Sequence, residues 1–172
     1  MYDNLKNTIK TINKSKKIRC FFLGNTVKRD NSSFYVTAIR ENKKFIYASA
    51  IIFNDFSAKK IARIIDGKVD IVLIDTEKKA IPKKITPSRL VVNIEKSIKE
   101  TIKKTKIFTY KGNDLTVQAA ETFINNYFLK DPRGVGGKNI LILGSGNIGT
   151  KLGIKVVESG ANVFLYRRKI KI

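Results

Sequence analysis

The sequence predicts an α/β fold: an N-terminal α/β domain, then the first β-α-β unit of a doubly wound parallel sheet. Three observations carry this. Short apolar runs of strand length alternate with stretches of helical periodicity. Residues 18–23 (IRCFFL) read as a short buried strand, 69–74 (VDIVLI) as a further strand, and 140–143 (ILIL) as a continuous apolar run, as in a central parallel strand. The last of them passes directly into a glycine-rich turn and a helix.

Leu5, Ile9 and Ile12 share one helical face and predict a short first helix. Residues 18–23 form the first strand, bounded by Gly24 and Asn25. Residues 34–39 and 45–53 are rich in β-branched and aromatic types, and the polar residues 40–44 between them suggest a hairpin. Ala58, Ile61, Ala62 and Ile65 share a helical face, with Ser57 as N-cap and Gly67 as stop. The strand at residues 69–74 ends at Asp75. Thr86 and Pro87 then open a helix whose stripe runs through Leu90, Val91, Ile94, Ile98 and Ile102. Residues 107–110 read as a short strand. Asp114 caps a further helix with a wide apolar face from Leu115 to Phe128. Residues 131–137 (DPRGVGG) read as a linker. The expected organisation is an α/β substrate-type domain at residues 1–112, a linking helix and linker at 113–137, and a dinucleotide-type domain starting at 138–172.

Composition excludes several kinds of chemistry. The 172 residues contain no histidine and one cysteine, Cys20. That leaves no Ser-His-Asp or Cys-His catalysis, no intrachain disulfide and almost no ligands for zinc, so no metal site is expected. No apolar run suggests a membrane span or a secretory signal, and a cytoplasmic protein is the simplest expectation. The formal charge is +21, from 35 Lys and Arg against 14 Asp and Glu. Such an excess can attract nucleic acid. However, lysine outnumbers arginine 27 to 8, and Ile, Lys and Asn together make up 66 residues, a bias spread along the chain. No specific nucleic-acid partner is therefore expected. Lysines gathered on one face beside exposed aromatics would mark the opposite case.

Gly144-Ser145-Gly146-Asn147-Ile148-Gly149 is G-x-G-x-x-G in its required setting of strand, turn and helix. Gly144 permits the tight turn, Gly146 lets a pyrophosphate approach the backbone, and Gly149 lets helix and strand pack closely. Ile148, Leu152, Val156 and Val157 face one way along the helix, Gly160 ends it, and residues 162–166 (NVFLY) form the second strand. This reads as the opening of a Rossmann dinucleotide-binding domain, against a flavodoxin-like or methyltransferase-like α/β turn with incidental glycines. An NAD site carries Asp or Glu at the end of that second strand. Here the position holds Arg167, followed by Arg168. A guanidinium holds a 2′-phosphate where a carboxylate would repel it, so NADP is expected over NAD.

From Asp114 to Arg168 the chain resembles the NADP-binding half of two-domain dehydrogenases of the shikimate and methylenetetrahydrofolate dehydrogenase kind. Gly137-Lys138-Asn139-Ile140 through Gly149 looks like the opening of that half. Tyr166-Arg167-Arg168 shares its arginine with the family's 2′-phosphate motif, and Asn113-Asp114 stands where shikimate dehydrogenases have Asn-Thr-Asp. The resemblance implies NADP-dependent hydride transfer to or from a small, anionic metabolite. A homodimer is compatible with it. Lys111 with Asp114 is the candidate proton-transfer pair, although Asp114 as a helix cap and Lys111 as an ordinary lysine explain the same residues. Asp75, at the end of a parallel strand, is a further candidate against a turn role. Cys20 is expected to be buried and inert. A complete domain needs two βαβαβ halves. The sequence reads as the start of one, able to hold the adenosine end of a cofactor. Two other readings stay open: a non-catalytic nucleotide-binding regulatory module, and a basic nucleic-acid-binding protein.

Overall fold

A computed structural model describes residues 2–25, 34–77 and 94–167. The chain divides into two compact units, Met1–Tyr110 and Lys111–Ile172.

The first unit is built from α1 (Tyr2–Asn13), β1 (Ile18–Asn25), β2 (Phe34–Val36), β3 (Arg40–Glu41), β4 (Phe45–Ile52), α2 (Asp55–Ile65), β5 (Ile71–Asp75), α3 (Ile94–Thr101) and β6 (Lys106–Tyr110). Its six-stranded sheet has the order β2-β4-β1-β5-β6, with β3 also on β4. Strands β4, β1, β5 and β6 are parallel. The antiparallel members β2 and β3 pair with β4: the expected hairpin forms through β2, which ends at Val36, and Arg40–Glu41, read as part of the polar connection, form β3. The sheet is therefore mostly parallel and the fold is α/β.

The core of this unit lies on one face of the sheet. Leu5, Ile9 and Ile12 of α1, Ala58, Ile61, Ala62 and Ile65 of α2, and Ile94 and Ile98 of α3 meet alternate strand residues such as Phe21, Leu23, Ala48, Ala50, Val72 and Ile74. The helical stripes read from the sequence are the buried ones. β1, read as a buried strand, is buried at Cys20, Phe21, Leu23 and Gly24, whereas β4 and the start of β5 alternate buried and half-buried, because the described helices of this unit all contribute to the one cluster. Two local corrections follow. The cap of α2 is Asn54, whose Oδ1 accepts from the Ser57 N–H at 2.8 Å, so Ser57 sits inside the first turn. The strand expected from residue 69 begins at Ile71, and the Asp70 carboxylate accepts the Arg19 backbone N–H at 2.8 Å. Thr86, Pro87, Leu90 and Val91 lie outside the described residues.

The second unit comprises α4 (Gly112–Tyr127), β7 (Asn139–Leu143), α5 (Asn147–Glu158) and β8 (Asn162–Tyr166). β7 and β8 pair in parallel, with α5 between them in sequence. A small core of Val135, Val156 and Ala161 is extended by Ile124, Phe128, Ile140, Leu152 and Val163. The wide apolar face expected of α4 is narrower here. Val117 is buried, but Leu115, Phe123 and Tyr127 are exposed. A helix resting on one neighbour covers only the stripe that meets it, and Val117, Glu121, Ile124 and Phe128 form that stripe. Glu121 closes it with an ion pair to Lys155 at 2.8 Å. Asp114 is not a helix cap: Lys111 holds that position, without a side-chain cap bond. Residues 131–137 form consecutive turns anchored by the buried Val135 and by an Asp131–Lys138 ion pair, inside the second unit. β7 was expected to be buried on both faces, yet Leu141 and Leu143 are exposed while Ile140 and Ile142 are half-buried.

Candidate functional site

The parallel pairing of β7 and β8 fixes the site. Register places Leu143 opposite Tyr166, and the Gly144 N–H continues the ladder by donating to the Tyr166 carbonyl at 3.0 Å. The chain must then leave the sheet sharply. Gly144 does so at φ +126°, a conformation that disfavours any side chain. Gly146 caps α5, and its carbonyl accepts the Thr150 N–H at 2.9 Å. The Thr150 hydroxyl donates to the Ser145 carbonyl at 3.3 Å, bracing the turn from inside.

The glycines have separate duties. A Cβ on Gly149 would lie 1.8 Å from the Gly144 carbonyl oxygen and 3.4 Å from Ile142 Cγ2, so helix and strand touch where only hydrogen fits. A Cβ on Gly146 would meet nothing within 4 Å. The space it would enter belongs to a hollow of about 480 Å³. Gly144, Gly146, Asn147, Ile148 and Gly149 line this hollow, with Ile142, Leu143 and Leu152 as its apolar wall. Asn113 completes the lining from the start of α4. The leading amides of a helix have no intrahelical acceptors, and the aligned peptide dipoles favour an anion there. A glycine cap has no side chain to compete for that position. The arrangement can receive a pyrophosphate.

Of the residues singled out from sequence, the turn brings together all but Ser145, whose carbonyl serves Thr150 and which is not among the lining residues. Arg167 directly follows β8, whose last carbonyl bonds Gly144, so it leaves the sheet at the same end as the glycine turn and is exposed. Arg168 lies outside the described residues. The candidate proton-transfer pair is differently placed. The Asp114 carboxylate forms an ion pair with Lys151 on α5. The hydrogen bond from Lys151, and after it the charges of Lys151 and Lys111, hold the Asp114 carboxyl below the usual carboxylate range. It is thus a charged tie between two helices. Asn113, beside it, is the residue that reaches the hollow. The sequence signal for it is the Asn113-Asp114 pair, which the resemblance sets at the place of the family's Asn-Thr-Asp.

No protein family, curated protein or solved structure matches this chain. Geometry and chemistry alone therefore carry the assignment of the site.

In the first unit, Asp75 is buried and accepts the Glu77 N–H at 2.9 Å, which is a turn role. Burial, and the Asp75 charge after it, push the Tyr110 hydroxyl up to about 12. Cys20 is buried, and desolvation raises its thiol pKa, which suppresses the reactive thiolate.

Proposed function

We propose that the second unit binds NADP and that the protein is an oxidoreductase acting on a small, anionic metabolite in the cytoplasm. The pyrophosphate rests at Gly144–Gly149 and the 2′-phosphate meets Arg167, with Arg168 beside it in sequence. The observation that carries this reading is the pair of glycine roles: Gly149 is obligatory for packing, whereas Gly146 faces open space. Packing alone gives no reason for a residue without a side chain at position 146. A phosphate that must reach the backbone does.

When bound, the cofactor supplies the hydride that is exchanged with substrate. The chain's own residues bind and orient. The turn fixes the pyrophosphate, Asn113 adds an amide to the wall of the hollow, and the guanidinium of Arg167 selects the phosphorylated ribose by a charge-assisted contact. The ion pair holding Asp114 favours a second reading, a nucleotide-binding module that does not itself move protons. NADP binding is common to both readings, and titration of NADP and NAD into the protein tests it. The expected result is tighter binding of NADP. Equal affinity, or none for either, removes the proposal.

A further inference from the structure

The first sheet leaves one broad face without a helix among the described residues, and that face is aromatic. Tyr47, Cys20, Ile71 and Lys106 stand in one row across β4, β1, β5 and β6, with Arg40 opposite Tyr47 on β3. In the next row are Phe22, Leu73 and Phe108. The Phe22 ring meets Tyr47 edge-on at 5.8 Å and Tyr110 at 5.9 Å. Phe108 is 45% exposed, and Lys106 Nζ lies 5.0 Å from its ring centre. A hollow of about 330 Å³ lined by Phe22, Phe45, Tyr47, Leu73 and Phe108 opens on this face.

Topology brings charge to the same place. β1, β4, β5 and β6 run parallel, so the loops that enter them gather at one end of the sheet. Those loops carry Lys16 before β1, Lys43 and Lys44 before β4, and Lys103 and Lys104 before β6, whereas Lys68 before β5 lines a hollow with residues of α1 and α2 on the helix-covered side. Phe45 and Ile71, which open β4 and β5, line the hollow beside this end. The acids there are already engaged. Glu41 pairs with Lys17, Asp70 with Arg19, and Asp66 accepts the backbone N–H groups of Lys103, Lys104 and Thr105. Across residues 1–110 there are 25 Lys and Arg against 10 Asp and Glu. Lysines far apart in sequence are thereby brought to one end of the sheet.

We propose that this face binds single-stranded nucleic acid, with bases stacking on Phe45, Tyr47 and Phe108 and phosphates meeting the lysine-bearing end. Stacking platforms beside a cationic rim suit unpaired bases, which offer a ring and a phosphate at each step. Every base has a ring face, so binding is tolerant of sequence. The inference is independent of the dinucleotide reading of the second unit.

Fluorescence anisotropy of a labelled oligothymidylate of about 20 nucleotides, a duplex of equal length and thymidine monophosphate, with the whole protein, tests it. The expected Kd for the single strand at ~0.15 M salt is below ~1 μM, at least tenfold tighter than for the duplex. Phe108→Ala should weaken the single strand at least fivefold. Lys43→Gln with Lys44→Gln lies in an entry loop, keeps the test available if the Phe108 variant does not fold, and should lower the log–log salt slope by about 1.4. Equal affinity for single strand and duplex, or a salt slope unchanged by the lysine pair, would overturn the proposal. So would monophosphate binding as tight as the oligomer's, or self-association that the oligomer does not reverse.

Discussion

A Cβ on Gly149 would sit 1.8 Å from the carbonyl oxygen of Gly144, closer than any two such atoms can approach. The last glycine of the turn is therefore a packing residue of the second unit before it is anything else. Gly149→Ala should force α5 away from β7 and cost about 1–3 kcal/mol, the usual penalty for overpacking. Gly146→Ala meets no neighbour and should cost less than about 1 kcal/mol, through the weaker cap. Urea unfolding of both variants checks the order. Equal losses would mean that the close approach is not a constraint.

Arg167 follows the strand whose Tyr166 carbonyl bonds Gly144, so cofactor choice should lie with it. A hydrogen bond to a charged group is worth ~1.5–3 kcal/mol net. Arg167→Asp removes that contact, repels a 2′-phosphate and offers acceptors to an unphosphorylated ribose. The NADP-to-NAD affinity ratio should fall at least tenfold in a titration of both cofactors. A ratio within about threefold of wild type would take the role away from Arg167.

Asp114 and Lys151 tie α4 to α5, and Lys111 stands at the cap of α4. Asp114→Asn should loosen that tie without altering NADP affinity, since the carboxylate is not among the residues lining the hollow. Asn113→Ala, one residue earlier, should weaken NADP binding. Calorimetry on the two variants separates them, and a reversed order would place Asp114 in the site.

Much of this was legible in the sequence because periodicity encodes burial on helices. Ile94, Ile98 and Ile102 lie on the buried stripe, and the strand-turn-helix order of residues 139–160 appears as read. The misreadings share a cause. The continuous apolar run of β7 predicts two covered faces, but coverage depends on which helices pack where, which no local pattern contains. Ser57 and Asp114 both have cap-forming side chains, yet the cap is the residue at which the chain enters the helix, and in α2 and α4 that is Asn54 and Lys111. The gathering of lysines at one sheet end was invisible for the same reason, since parallel pairing brings together loops far apart in sequence.

Asp66 and Asp70 give the first unit a pH signature. Burial tends to raise the Asp66 carboxyl, but the three N–H groups of Lys103, Lys104 and Thr105 outweigh it and hold the pKa low. The Arg19 side chain holds Asp70 low. Both folded pKa values lie below the unfolded value, so this stabilisation is present above about pH 4 and is lost as pH falls through the folded values. Urea midpoints should therefore drop on acidification below about pH 4. Asp66→Asn, which offers one acceptor oxygen, should lower the neutral-pH midpoint and flatten that drop. An unchanged acid profile would contradict the assigned role.

The central claim is that the turn from Gly144 to Gly149 receives the pyrophosphate of NADP, and Gly146→Val tests it most directly. The valine side chain enters open space, so the fold should survive by circular dichroism while the hollow is filled. Calorimetric titration of NADP should show binding at least tenfold weaker than wild type, or ~1.4 kcal/mol. NADP affinity equal to wild type in the folded variant would contradict the account.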